Sequence, residues 1–597
     1  MTKTTPYWRL AKLPLAVSLA STLAAPAFGV TFNIGEIEGQ FDSQLSVGAS
    51  WAVRGADPSL VGLRNGGGAS SQTGDDGRLN FKKGETFSKI FKGIHDLELK
   101  YGDTGVFVRG KYWYDFELKD ESRLLYDIDD SNRKTAAQSS GVQLLDAFLY
   151  HNYTIAELPG SVRVGKQVVS WGESTFIQNS INSINPVDVA AFRRPGAEIK
   201  EGLIPVNMFY VSQSLTDNLS AEVFYQLEWD QTVLDNCGTF FALDVLADGC
   251  TDRLAVDGSD FGGPGSPRYA YLSRLGDNDA RDSGQYGIAL RWFSPELDTE
   301  FGFYTMNYHS RTPNLSYVAG RGAYLPGISP SDGPQFADPS IGQLHAGYYL
   351  DYAEDIRLHG MSFSTTAGSA SIAGEISYRP NMPMQINTID LTLASILQTG
   401  LAYTNSPIYT SGHAQGFEGE VLQGYVRKPL TQAQVTVTQF IDQVAGAERL
   451  TLVGEVGYSH VSNLGKNELR FGRAPEFGSG PLATPGLCET VGNSANPQEC
   501  NNKGFYTTTS WGYRARAILD YNNAFAGVNL RPSLSWSHDV DGYGPTFNEG
   551  NKAISLGLDA EYQNTYTASL SYTDFFGGKY NTNIDRDFVA LSFGVNF

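Results

Sequence analysis

The chain has 597 residues, 33 Phe, 32 Tyr, 8 Trp and 65 Gly, and 41% of it is hydrophobic, a mixture too aromatic for a disordered segment. A mean hydropathy of -0.25, with no long apolar run beyond the N-terminus, argues against transmembrane helices. A net charge of -20 without a basic stripe excludes nucleic acid as the natural partner; acidic surface loops holding divalent cations or lipopolysaccharide counter-ions fit it better.

Lys3, Arg9 and Lys12, the apolar run Leu13 to Leu23, and Ala25-Pro26-Ala27 read as a secretory signal peptide over 1–27. Cleavage is expected after Ala27, with Gly29 as the second choice, leaving 28–597 as the mature protein. No Cys lies near the site, so a lipoprotein is not expected. Period-two alternation then begins. Val106, Val108, Tyr112 and Tyr114 share one face, as do Val162, Val164 and Val168, and Ala221, Val223, Tyr225, Leu227 and Trp229. The pattern is cleaner in the C-terminal third. Trp511 to Tyr521, Val528 to Trp536, Ile554 to Tyr562, Tyr566 to Tyr572 and Val589 to Phe597 each place apolar residues at every second position, with small or polar residues between. Such alternation marks strands with one apolar face, and aromatics at the ends of those faces match the interfacial girdles of a membrane barrel. The last strand ends on Phe597, as the closing strand of an outer-membrane barrel does.

Short turns are expected at 102–104, 157–160, 216–218, 294–297, 367–368, 444–446, 522–526 and 563–564. Long excursions are expected at 53–86, 118–140, 172–202, 230–283, 311–350, 380–419, 461–507, 539–550 and 577–585. They alternate without a slip if 420–441 is one long strand, giving an all-β transmembrane antiparallel β-barrel of about 18 strands, with an infolded loop and one short helix. Pro429 within that long strand removes a ladder donor, so sixteen strands stands as the alternative count. A soluble sandwich or propeller would need linkers or a repeat of about 40 residues, and neither is present.

By parity, Arg109, Lys111, Asp115, Arg163, Glu222, Glu228, Glu455, Arg514, Arg516, Arg531, Asp559 and Glu561 face the lumen. Opposed charges there either focus a field across a water column or pair with one another in a closed interior. The stretch from Arg163 to Phe176, running on through 182–188 to Arg193-Arg194-Pro195-Gly196-Ala197-Glu198-Ile199-Lys200-Glu201, leaves the period of two and mixes Pro, Asn and both charges. Long connections without strands of their own are usually functional. Residues 172–202 are therefore expected to fold into the barrel as a constriction or plug, with Arg193 and Arg194 facing Glu198 and Glu201; an ordinary surface loop with local salt bridges is the alternative. In 386–403, Ile386, Ile389, Leu393, Ile396, Leu397 and Leu401 recur at helical spacing. A helix there lines the route of an apolar solute or merely fills space, and a Thr-rich strand is a third option.

Cys237/Cys250 and Cys488/Cys500 form two close pairs in polar loops, which in an exported chain suggests two disulfides. A metal site is the rival, without CxxC spacing or a nearby His in its favour. No hydrolase, P-loop or zinc-protease motif occurs. Ser537, His538 and Asp539 are adjacent on a strand and alternate faces, and Asp539-Val-Asp541-Gly542 lacks the Glu that would complete a calcium loop. No enzyme activity and no cofactor are expected.

The run Val164-Gly-Lys-Gln-Val-Val-Ser-Trp-Gly-Glu-Ser-Thr-Phe176, then Asn185-Pro-Val-Asp-Val189 and Arg193 to Glu201, resembles the domain-of-unknown-function 1302 family of proteobacterial outer-membrane proteins. So do Asp541 to Phe547, Phe575 to Asn581 and Asp585 to Phe588. The resemblance covers nearly the whole mature chain. It implies an exported barrel in the outer membrane of a Gram-negative bacterium, often encoded beside an RND-type transporter and a periplasmic protein with a lipid-carrier-like fold. It brings no catalytic residues. The expected function is a channel or transporter for small or apolar solutes gated by the infolded loop; the alternative is a non-conducting partner of an RND-type export or lipid-trafficking system. The other expected partners are outer-membrane lipid, lipopolysaccharide and, through the Phe597 strand, the barrel-assembly machinery.

Overall fold

A computed structural model describes residues 29–247, 253–321, 336–397, 406–465, 469–482 and 484–597. The expected signal peptide, Cys250 and the end of the expected 386–403 helix lie outside them. Eighteen strands close into one antiparallel barrel. They are β1 (Ile37–Ala52), β2 (Thr86–Tyr101), β3 (Thr104–Asp115), β4 (Ser140–Ile155), β5 (Leu158–Gln167), β6 (Val206–Thr216), β7 (Leu219–Gln226), β8 (Tyr286–Ser294) and β9 (Thr299–Tyr308). The second half comprises β10 (Ile356–Ala367), β11 (Ala370–Gln385), β12 (Tyr425–Val444), β13 (Ala447–Val461), β14 (Thr509–Phe525), β15 (Val528–Asp541), β16 (Lys552–Tyr562), β17 (Tyr566–Phe576) and β18 (Phe588–Asn596). Each strand pairs with its sequence neighbour, and β18 closes on β1 with Val595 opposite Leu45, Phe593 opposite Val47 and Leu591 opposite Ala49. Ser43 and Phe597 exchange both backbone hydrogen bonds at the end of this seam. A further strand, Val30–Ile34, folds back on the start of β1 alone.

Alternation decides which way each strand faces. Leu556, Leu558, Leu570, Phe593, Val456 and Val437 point outward and are exposed, a belt far larger than a soluble surface tolerates. Tyr225, Tyr286, Tyr378, Tyr458 and Trp511 rim it at one end, and Trp292, Phe440, Phe525, Tyr562 and Tyr566 at the other. The stretch from Trp511 to Tyr521 on β14, at about 3.4 Å per residue and a tilt of about 40°, rises about 26 Å, the height of a barrel's apolar band. Among the described residues, no helix is long and apolar enough to cross a membrane.

Short turns join β2 to β3, β4 to β5, β6 to β7, β8 to β9, β10 to β11, β12 to β13, β14 to β15 and β16 to β17 at one end, the turn end. Every long connection leaves from the other, the loop end. β12 is a single strand through Pro429, which is accommodated because pairing with β13 begins only at Leu430 and the register with β11 shifts between Arg379 and Met382. Val168, Leu227 and Trp229, expected on strands from their parity, lie just beyond the ends of β5 and β7.

The long connections build a second sheet at the loop end from Arg253–Asp257, Ala270–Arg274, Asn314–Val318, Gln343–Asp351 and shorter pieces. A helix over Thr388–Leu397 packs into it, burying Leu391, Ala394 and Ile396 with Leu272, Tyr317, Tyr348 and Leu350. Much of its apolar side is thus packed on the loop sheet, while Ile389, Leu393 and Leu397 stay half-buried. Cys488 and Cys500 form a disulfide. Cys237 is also disulfide-bonded and buried.

Replacing outward Leu558 by Arg should destabilise the refolded barrel in lipid vesicles by about 2–4 kcal/mol, as a charge near the midplane of the belt does. The inward Ser569→Asn change on β17 should stay within about 0.5 kcal/mol. Urea titration of tryptophan fluorescence reads both.

Candidate functional site

An 18-strand barrel is wide enough to hold an aqueous channel unless something occupies it. Here residues 168–205, between β5 and β6, cross the lumen to the far wall and return. The outbound half lies on the inner faces of β6–β10. Trp171 is buried against Phe224 and Tyr304, with ring centroids 5.0 and 5.8 Å away, and its indole donates to Glu222 at 2.7 Å. Ile181 and Ile184 join Met208, Met306 and Leu358 in the same apolar core.

At the far wall the arm is held by side chains that accept or donate to its backbone. Glu455 on β13 accepts from three consecutive N–H groups, those of Thr175, Phe176 and Ile177, at 3.0, 2.6 and 2.7 Å. Glu375 on β11 accepts from Glu173 N–H and Ile181 N–H. Gln434 and Gln432 on β12 donate to the carbonyls of Ile177 and Gln178 at 3.1 and 2.7 Å. Arg379 donates to Asn179 and Ser180 carbonyls and to Tyr308 Oη at 2.8 Å. Hydrogen bonds with one charged partner are worth about 1.5–3 kcal/mol each, so this irregular backbone meets its polar needs without forming a ladder. The wall gives way sterically as well: a Cβ on Gly457 would lie 2.8 Å from Ile177 Cδ1, and one on Gly360 2.8 Å from Ile181 Cγ1.

The returning half reaches β1–β3 and β18. Lys111 binds Asp188 at 2.8 Å and the Glu201 carbonyl at 2.9 Å; Lys92 binds Glu201 at 2.6 Å and the Gly196 carbonyl at 2.8 Å. Asp188 also caps the short helix Val189–Arg193, and Glu198 and Glu201 form a reciprocal capping box on Ile199–Gly202. Gln44 on β1 donates to Glu198.

Arg193 and Arg194 do not face Glu198 and Glu201. Arg193 pairs with Asp235 in the β7–β8 connection and lies over Phe241, while Arg194 lies over Trp113 at 4.5 Å and donates to the Ala136 carbonyl at 3.1 Å. Lys92 and Lys111 take the carboxylates instead, because their strands stand directly opposite the returning arm. Among the described residues Lys200 pairs only with Glu198, at 3.1 Å. Of the other expected pore groups, Arg109 binds Asp96 through two nitrogens at 2.7 Å and Asp146 at 3.3 Å. Arg514 binds Asp539 at 2.7 Å, and Glu561 meets Arg531 at 3.6 Å near the turn end. Arg163 stacks on Tyr210 at 4.2 Å. Arg516 has no ion pair among the described residues. Asp115 keeps the inward parity of Lys111 and Trp113 and is buried, accepting from Ser88 and capping the helix Phe116–Asp120. One expectation fails: Glu228 lies beyond β7 and binds Asn207 at 2.7 Å. His538 stands outward beside Tyr513, while Asp539 faces inward to Arg514.

Parity alone also marked residues that went unread: Lys92, Glu375, Arg379, Gln432 and Gln434 alternate with outward residues on β2, β11 and β12. Arg291, 2.9 Å from Glu222 and 3.2 Å from Glu300, sits in β8, where both faces read as apolar or aromatic.

The family model described as "Protein of unknown function (DUF1302)" matches residues 10–597. No curated protein matches the chain. Among solved structures, the chain is similar to the outer membrane channel DcaP of Acinetobacter baumannii, at 9% identity and a TM-score of 0.36, covering 96% of this chain and 100% of that one. It is similar to Pseudomonas aeruginosa OpdK, solved with vanillate, at 9% identity and a TM-score of 0.38, covering 93% and 98%. A BenF-like porin from Pseudomonas fluorescens Pf-5 gives 8% identity and a TM-score of 0.39, covering 94% and 98%.

Replacing Glu455 by Ala removes the acceptor of three backbone N–H groups, that of Ile177 buried. Hydrogen exchange should show protection at the amides of Thr175, Phe176 and Ile177 falling by about 10–100-fold, the equivalent of about 1.5–3 kcal/mol, with the β13 and β14 ladders unchanged.

Proposed function

The chain belongs to the DUF1302 family, and on that premise we propose that it is an outer-membrane channel for small polar or charged solutes whose passage is set by the 168–205 arm. The observation that carries this reading is the arm itself, spanning the lumen of a closed barrel between Glu455 and Glu375 on one wall and Lys92 and Lys111 on the other. A lumen lined by Arg109 with Asp96 and Asp146, Arg291 with Glu222 and Glu300, and Arg531 with Glu561 presents fixed charge of both signs beside the arm. Such a wall favours polar solutes over apolar ones, and the helix Thr388–Leu397 has Leu391, Ala394 and Ile396 buried in the loop sheet. A closed barrel with an apolar belt supports the outer membrane as its location.

The density of bonding to the arm favours a second reading, a plugged, non-conducting barrel that serves an RND-type export or lipid-trafficking system. Planar-bilayer recording of the refolded mature protein separates the two. On the channel reading, the wild type conducts, Glu375→Ala/Glu455→Ala raises the single-channel conductance at least twofold, and Arg193→Ala/Arg194→Ala changes ion selectivity. A wild type and double mutants that are all silent, while retaining the heat-modifiable migration of a folded barrel, would refute the channel and leave the plugged partner.

A further inference from the structure

Away from the lumen, two loops meet over a small group of buried acids. Asp75 and Asp76 end the β1–β2 connection's approach to the short helix Asp76–Asn80, and Asp244 comes from the β7–β8 connection, 168 residues further on. All three are nearly fully buried, with exposures of 0, 5 and 3%, and one carboxylate oxygen from each lies within 4.8 Å of the others. Asp75 Oδ2 accepts from Gly62 N–H at 2.7 Å and Asn65 at 3.0 Å, Asp76 Oδ2 accepts from the Tyr126 hydroxyl at 2.6 Å, and Asp244 Oδ2 accepts from Asp76 N–H at 3.2 Å.

The second oxygens of Asp75 and Asp76 are buried and accept nothing. Beside Asp76 and Asp244 is a cavity of about 50 Å³ whose wall also includes Asp260, Tyr126, Tyr269 and Arg253, room for an ion and a water. Four carboxylates thus stand against Arg253 in the wall and Arg78, which is committed to Asp585 at 3.0 Å.

We infer that Asp75, Asp76 and Asp244 bind a divalent cation of the calcium class, which clamps the β1–β2 connection to the β7–β8 connection at the loop end. Oxygen ligands alone, with no His or Cys, suit a hard cation. The ion would add the missing positive charge to a buried anionic cluster, the situation in which ion binding contributes directly to loop order.

The test uses the refolded full-length mature barrel, stripped with EDTA and titrated with terbium(III), whose emission Tyr126 and Tyr269 would sensitise. The expected result is a saturable signal displaced by calcium, with affinity at least tenfold weaker in Asp76→Asn and in Asp244→Asn. Asp217→Asn, at the turn end, should match the wild type. No saturable signal, or one unchanged in both cluster variants, overturns the site. If a variant does not fold, the wild type alone decides: limited proteolysis within 53–85 should accelerate several-fold on moving from calcium to EDTA, and equal rates overturn the clamp.

Discussion

Every backbone N–H and C=O that crosses a bilayer must find its partner within the protein, and the seam between β18 and β1 is where this chain meets that requirement. Until Phe597 and Ser43 exchange their hydrogen bonds and Val595 to Val589 zip along Leu45 to Trp51, two edges face lipid and the belt has no continuous surface. Closure also fixes the interior. Eighteen strands around a circle enclose more space than their own side chains fill, so the same ladder that satisfies the backbone creates the lumen that the rest of the molecule organises.

The arm is held in that lumen by a different logic on each side. Against β6–β10 it is held by apolar burial, with Trp171 and Ile181 set among Phe224, Tyr304 and Leu358. Against β11–β13 it is held by wall carboxylates, amides and a guanidinium that satisfy its backbone one group at a time. Against β1–β3 two lysines neutralise its acids. Removing one member of such a set leaves a buried partner exposed to no solvent, which costs more than the bond itself was worth. The polar contacts therefore set the arm's position more sharply than the apolar ones, which tolerate sliding.

This division explains where alternation was easy to read. In β14 to β18 the inward residues are Ser, Gly, Arg and Asp, and the outward ones Leu, Val and aromatics, so a period of two stands out. In β6 to β9 the inward positions carry Met208, Phe224, Tyr304 and Met306 to pack the arm, and both faces become apolar. Infolding of 172–202 was legible from its loss of period and its mixed charge. Its partners were not: nothing in the order of residues tells Lys92 that Glu201, 109 positions away, stands across the lumen.

The sequence by itself determined the barrel, its alternation of short turns and long loops, the lipid-facing side of most strands and the stretch that leaves the wall. These are local properties, set by a side-chain period and by Gly, Asn and Pro at turns. Only the tertiary structure decided that Arg193 goes to Asp235, that Glu455 receives three amides, that the 388–397 helix packs on the loop sheet, and that Asp75 and Asp76 meet Asp244. Those pairings depend on which strands face each other across a closed cylinder. That geometry exists only once the last strand has joined the first.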